Sequence, residues 1–166
     1  EMCIRDRQVH YAPSPDVAVD TFESYLERPD AKRNHAIRYG LAVAYQANNQ
    51  LDKAEQELRD LLEQNPGRIT LQVTLADVLN DRNKTGEARA LLEEALARNP
   101  GNYPITYTLA QTEISAGNGA AAAELLRELT RQLPGQEHLW ARLAEAEGMA
   151  RNIVGVHRAR AEYDAL

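Results

Sequence analysis

A chain of 166 residues, 43% apolar and 27% charged, suits one compact domain or a short repeat array and lies outside the composition of disordered proteins. Its net charge of -6 argues against a nucleic-acid partner, which would need a concentrated basic face; only 5% of residues are aromatic while Ala and Leu are abundant, which favours helices over strands. No apolar run approaches the ~18 residues of a membrane-spanning helix, no secretory signal is visible, and the single Cys3 leaves no internal disulfide framework or Cys-based zinc site.

The first seven residues, EMCIRDR, fit no periodic pattern and look like translated adapter sequence, so 1–7 is expected to be a non-native head. Residues 8–34 form a linker and an N-terminal packing helix. Ser14, Pro15 and Asp16 read as a helix start, with the serine capping and the proline in the first turn. The spacing predicts a helix over 15–27 with Ala18, Phe22, Tyr25 and Leu26 on one face, before a break at Pro29.

From residue 35 the chain repeats itself. Leu41, Leu75, Leu109 and Leu143 follow one another at 34 residues, and each is followed by alanine: Ala42, Ala76, Ala110 and Ala144. A second column holds Ala54, Ala88, Ala122 and then Val156, and a third Leu58, Leu92, Leu126 and then Arg160. Two antiparallel helices pressed together explain the columns, because a side chain larger than alanine at the crossing would push the axes apart. Polar stretches at 48–50, 83–86 and 117–119 turn the chain inside each unit. Pro66, Pro100 and Pro134, each followed by glycine, close the first three. The units run 35–68, 69–102, 103–136 and 137–166. The fourth diverges at Val156 and Arg160, and the tail 160–166 is still helical where it stops.

Catalytic chemistry finds no foothold. His10, His35, His138 and His157 form no HExxH pattern, and no two sit four apart around a carboxylate. His138, at a helix start, is expected to face solvent. Glu145 and Glu147 are two apart on a helix and do not face each other. Serine and threonine carry no nucleophile-elbow glycines.

The columns, the period and Trp140 near the start of a unit resemble the tetratricopeptide repeat family over about 130 residues. The resemblance implies an all-α fold, a right-handed solenoid of antiparallel helical hairpins that binds proteins or peptides in a concave groove. Tyr45 stands at another of the family's aromatic positions, where later units carry Leu79, Glu113 and Glu147; the two glutamates lead us to expect less regular packing there. Carried over, the family's groove positions fall on Tyr39, Val43 and Gln46, on Val73, Asp77 and Asn80, on Tyr107, Gln111 and Ile114, and on Ala141, Glu145 and Gly148. Val43 and Val73 could equally pack between hairpins. Co-chaperones of the family clamp a terminal carboxylate with Lys, Asn and Arg; here Tyr39, Val43, Val73, Asp77 and Tyr107 fill those places, and Asp77 would repel it.

A narrower resemblance rests on 33–42 (RNHAIRYGLA) and 139–148 (LWARLAEAEG), together with the end 159–166. These stretches are similar to the C-terminal repeat region of bacterial periplasmic HExxH zinc metallopeptidases of the β-barrel assembly-enhancing type. That resemblance implies a periplasmic regulatory segment, a peptidase domain upstream that would hold the zinc, and contacts with that domain and with outer-membrane assembly machinery. The chain itself would hold no cofactor and no catalytic residue. The alternative is an independent adaptor in envelope assembly with no enzyme attached, and a cytoplasmic location is the alternative to the periplasm.

Overall fold

The computed structural model describes residues 14–28 and 34–166, and among these it holds nine helices and no strand. They are α1 Pro15–Leu26, α2 His35–Ala47, α3 Leu51–Gln64, α4 Ile69–Asp81, α5 Thr85–Arg98, α6 Tyr103–Ser115, α7 Gly119–Gln132, α8 Glu137–Met149 and α9 Ile153–Asp164. The head 1–7, Cys3, His10 and the expected break at Pro29 lie outside the described residues. By its contacts the chain falls into two compact units, residues 1–66 and 67–166.

Local chemistry sets the hairpin ends. The residue before each closing proline leaves the helical region, at φ/ψ of −142/63 for Asn65, −132/67 for Asn99 and −131/65 for Leu133. A following proline ring clashes with a helical predecessor, so the helix stops there. The turn inside each hairpin is equally regular. Asn49, Asn83, Gly117 and Arg151 take the left-handed conformation, with φ of 55, 59, 80 and 57°. The next amide then reaches back five residues: Gln50 to Tyr45 O, Lys84 to Leu79 O and Asn118 to Glu113 O at 2.8 Å, and Asn152 to Glu147 O at 2.9 Å. These bonds satisfy carbonyls that the helix end would otherwise leave open.

In the first unit, α1 packs on α2, and α2 pairs with α3. Leu41 is 3% exposed and Ala42, Ala54, Leu58 and Leu61 are sealed from solvent. Each fully buried leucine stabilises by roughly 2 kcal/mol. The face of α1 agrees with the expectation at Ala18, Phe22 and Leu26, which are half-buried, and differs at two positions. Val19 is its buried residue and Tyr25 is 43% exposed, with the Arg28 guanidinium 5.5 Å over its ring. Ser14 occupies the N-cap position, yet its side chain makes no capping bond; Pro15 in the first turn and the bond from the Ala18 amide to Ser14 O start the helix. Phe22 lies against Gly40, where any side chain would meet the ring at 2.7 Å. The Tyr45 hydroxyl donates to Glu23 at 2.7 Å while Lys53 sits 4.9 Å from its ring, and burial followed by that carboxylate pushes the phenol's pKa up.

The second unit pairs α4 with α5, α6 with α7 and α8 with α9, and α6 also packs on α4 and α5. Ala76, Ala88, Ala110 and Ala122 are fully buried at the crossings. The α7 to α8 junction depends on Gly119, where a Cβ would lie 2.5 Å from Met149 Cβ and 2.7 Å from Ala146 O. In the last hairpin Ala159 is the buried residue of α9, Val156 is half-buried and Arg160 is exposed, so the divergent columns still yield a helix but a thinly buried one.

Glu113 and Glu147, expected to mark less regular packing, are themselves firmly held. They are 5% and 2% exposed, and each is gripped from the preceding hairpin and from its own turn. Arg89 on α5 holds both oxygens of Glu113, and Asn118 adds a bond at 2.8 Å. Arg127 on α7 reaches Glu147 at 2.9 Å, and Asn152 adds 2.7 Å. The hairpin of Glu113 has helices of 13 and 14 residues, the lengths of the earlier ones, whereas the last hairpin has 13 and 12.

Candidate functional site

The expected groove positions lie on α2 in the first unit and on α4, α6 and α8 in the second. On α2, Tyr39 and Gln46 are half-buried and Val43 is 40% exposed, so Val43 is available at the surface. On α4, Val73, Asp77 and Asn80 are half-buried, and on α6 so are Tyr107, Gln111 and Ile114; Ala141, Glu145 and Gly148 on α8 are exposed.

Two bridges join the helices of the second unit. Asn80 Nδ2 donates to Thr112 Oγ1 at 2.8 Å, and Thr112, fully buried, donates on to Thr108 O at 2.9 Å. Among the described residues, Asn80 Oδ1 is enclosed and accepts no hydrogen bond. One turn earlier, burial raises the Asp77 carboxyl to about 6, with the Asp81 charge adding to the effect. Asp77 thus shares its face with an amide oxygen in want of a donor.

The second bridge is aromatic. Tyr103 and Tyr107, one turn apart on α6, stack with ring centroids 5.8 Å apart and planes 9° from parallel. His138 at the start of α8 stands edge-on to Tyr107 at 5.6 Å, and its Nε2 shares a hydrogen bond with the Tyr103 hydroxyl at 2.8 Å. His138 is exposed as expected, but it is engaged by both tyrosines. Arg142, one turn further, is held by Glu145 at 2.8 Å; that bond first, and the nearby Tyr107 hydroxyl second, raise its pKa. Tyr107 and Glu145, expected on one surface, thus both lie beside Arg142.

Tyr103, His138, Arg142 and Thr112 were not among the sequence candidates. The i, i+4 spacing of Tyr103 and Tyr107 was the available signal for one face, whereas the pairing with His138 depends on how α6 meets α8. Trp140 acts structurally: its Nε1 donates to Pro134 O at 2.8 Å and its ring packs on the core. The arrangement offers aromatic faces and a charged edge, which suit recognition of a polypeptide. Among the described residues no cluster of three or more His, Cys, Asp or Glu could hold a metal ion, and no helix is long and apolar enough to cross a membrane.

A family model described as tetratricopeptide repeat matches residues 14–77 and 79–154. No curated protein matches the chain. Among solved structures, the chain is similar to MamA (41 to the end) from Desulfovibrio magneticus RS-1, with 15% identity and a TM-score of 0.79 over 98% of this chain and 90% of that one. It is similar to a tetratricopeptide repeat protein from Parabacteroides merdae, with 19% identity and a TM-score of 0.76 over 96% of this chain and 59% of that one. Pseudomonas aeruginosa pilF aligns at 17% identity and a TM-score of 0.68, over 92% and 76% of the two chains. At such identities the likeness shows the fold. The narrower peptidase resemblance gains no support from these neighbours.

Proposed function

The chain belongs to the tetratricopeptide repeat family, and from that premise we propose that it is a protein-binding adaptor that takes up an extended polypeptide segment on the face formed by α4, α6 and α8. The observation that carries this reading is the Tyr103, Tyr107 and His138 cluster with Arg142 and Glu145 at its edge. Stacked, half-buried rings offer a large contact area at low conformational cost. Arg142 can turn from Glu145 to a partner's carboxylate or main-chain carbonyl. The face also includes Val73, Asp77, Gln111 and Ile114, and on α2 of the first unit Tyr39, Val43 and Gln46 supply residues of the same kind. The fold is of a non-catalytic scaffold type, and the chain is proposed to work by recognition alone.

A peptide library displayed against the purified chain tests this. Enriched peptides are expected to lose about tenfold or more in affinity on Tyr107→Ala, the scale of an aromatic anchor in an interface. Enriched peptides indifferent to both Tyr107→Ala and Arg142→Ala would remove the face from consideration, and zinc-dependent proteolysis by the chain would overturn the scaffold reading.

The more specific reading, a periplasmic regulatory segment of an HExxH zinc metallopeptidase, is supported by the resemblance over 33–42 and 139–148. MamA and the repeat proteins among the structural neighbours fit an independent adaptor instead, and that is the reading we favour. An HExxH motif in frame upstream in the coding DNA would reverse the preference.

A further inference from the structure

We propose that the second unit carries another docking site, on a different face of α6, that takes a basic amphipathic helix. A groove of about 710 Å3 runs between α5 and α7 over α6. Its floor is apolar: Leu96 and Leu125 are half-buried and line it together with the buried Leu129. Its rim is acidic on both sides, with Glu93 on α5 and Glu124 and Glu128 on α7. No lysine or arginine is among its lining residues.

Charge decides the occupant. Glu128 is held by Arg131 and Gln132 of its own helix, and Glu113 in the floor is held by Arg89. Neither Glu124 nor Glu93 has an ion-pair partner among the described residues; Arg89 lies near Glu93. An apolar trough edged by carboxylates of one sign concentrates a negative potential over low-dielectric walls. Such a trough repels nucleic acid and anionic lipid alike. A helix with leucine-type anchors one turn apart and Lys or Arg flanking them fills the floor and meets both rims, the helix-in-groove mode of peptide recognition. The tyrosine cluster lies on a different face of α6 and lines no part of this groove, so this site would act beside the proposed polypeptide face and let one chain join two partners.

The test is a fluorescence anisotropy titration of the full chain with two labelled peptides of ~18 residues, a length that spans several helical turns. One carries leucines at i, i+4 flanked by Lys and Arg; the other replaces those cations with Glu. The basic peptide is expected to bind, to weaken as salt is raised, and to bind at least ~10-fold more tightly than its acidic counterpart. Glu124→Lys, at an exposed position that leaves the fold intact, is expected to weaken it about tenfold, and Tyr107→Ala to leave it unchanged. Equal binding of the two peptides, or indifference to Glu124→Lys, would overturn the proposal. So would loss on Tyr107→Ala alone, which would put the peptide on the tyrosine face and leave the adaptor reading standing. A wild-type dimer in sedimentation that Glu124→Lys dissolves would mean that a second copy covers the groove.

Discussion

Arg127 on α7 donates to the Glu147 carboxylate on α8 at 2.9 Å, and Glu147 is only 2% exposed. Asn152 completes the grip from the following turn at 2.7 Å. The same register position carries Tyr45, Leu79 and Glu113 in the earlier hairpins, so one place in the repeat is filled by an aromatic, an aliphatic and two carboxylates. Each polar version draws its partner from the preceding helix: Glu23 for Tyr45, Arg89 for Glu113, Arg127 for Glu147.

Removing Arg127 while keeping Glu147 leaves a buried carboxylate with Asn152 as its remaining partner. Arg127→Ala is expected to cost roughly 2 kcal/mol, below the usual 3–5 for a broken buried pair because the Arg127 side chain is 44% exposed. Arg127→Leu combined with Glu147→Leu should recover most of that loss, since Leu79 shows the position accepts an apolar residue. Urea unfolding of the two variants measures both terms. A double variant as unstable as Arg127→Ala would show that the position in this hairpin requires its charge.

Arg151 should be improved by losing its side chain. It holds a left-handed φ of 57°, which costs a branched or long L-residue about 1 kcal/mol, while its counterparts are Asn49, Asn83 and Gly117. Arg151→Gly is expected to raise stability by roughly 0.5–1 kcal/mol, since relief of strain exceeds the added chain entropy. The melting curve checks it. A lower melting temperature would mean that Arg151 makes a favourable contact that outweighs its backbone strain.

Much of this fold was legible in the sequence because it is local. The Leu-Ala columns at 41, 75 and 109 mark crossings, and the closing prolines mark helix ends, through neighbours a few residues away. The anchoring of Glu113 and Glu147 is invisible in the sequence because their arginines come from another helix. Arg89 and Arg127 lie a different number of residues apart than their glutamates do, so no column links them. The left-handed turn was half visible, since Asn and Gly advertise it and Arg151 does not. The family resemblance put Tyr107 and Glu145 on one surface, but it could not show Arg142 beside both and paired with Glu145. The acidic groove has no signature at all, because Glu93 and Glu124 read as ordinary solvated positions until α5 and α7 are set side by side.

Ala76 is fully buried where α4 and α5 cross, and α4 also packs on α6. Ala76→Trp is expected to force the helices apart at a cost at the upper end of about 1–3 kcal/mol or beyond. The melting temperature should fall by several degrees, on the order of 2–4 °C for each kcal/mol in a chain of this size. An unchanged melting temperature would mean that the side chain at 76 escapes the crossing, which the packing does not allow.

Asp77 gives the face a pH dependence whose sign follows from its burial. Its carboxyl titrates near 6 in the fold against an ordinary 3.8, with burial the first cause and the Asp81 charge the second. Between those values the folded state binds the extra proton, so this group's contribution to stability is full below 3.8 and declines as pH rises through about 6. Asp77→Asn removes the cost of the buried charge and is expected to stabilise the protein at pH 7.5 by roughly 1 kcal/mol, the shift being discounted for partial exposure. At pH 4.5 the wild-type carboxyl is already protonated and the advantage should shrink towards zero. Denaturation of both proteins across this range provides the comparison, and the difference between them cancels the other carboxylates. An advantage that stays constant from pH 4.5 to 7.5 would assign the effect to packing of the amide. An advantage that grows through pH 6 would mark Asp77 as a carboxylate held out of water on the face where a partner's amide or cation could meet it.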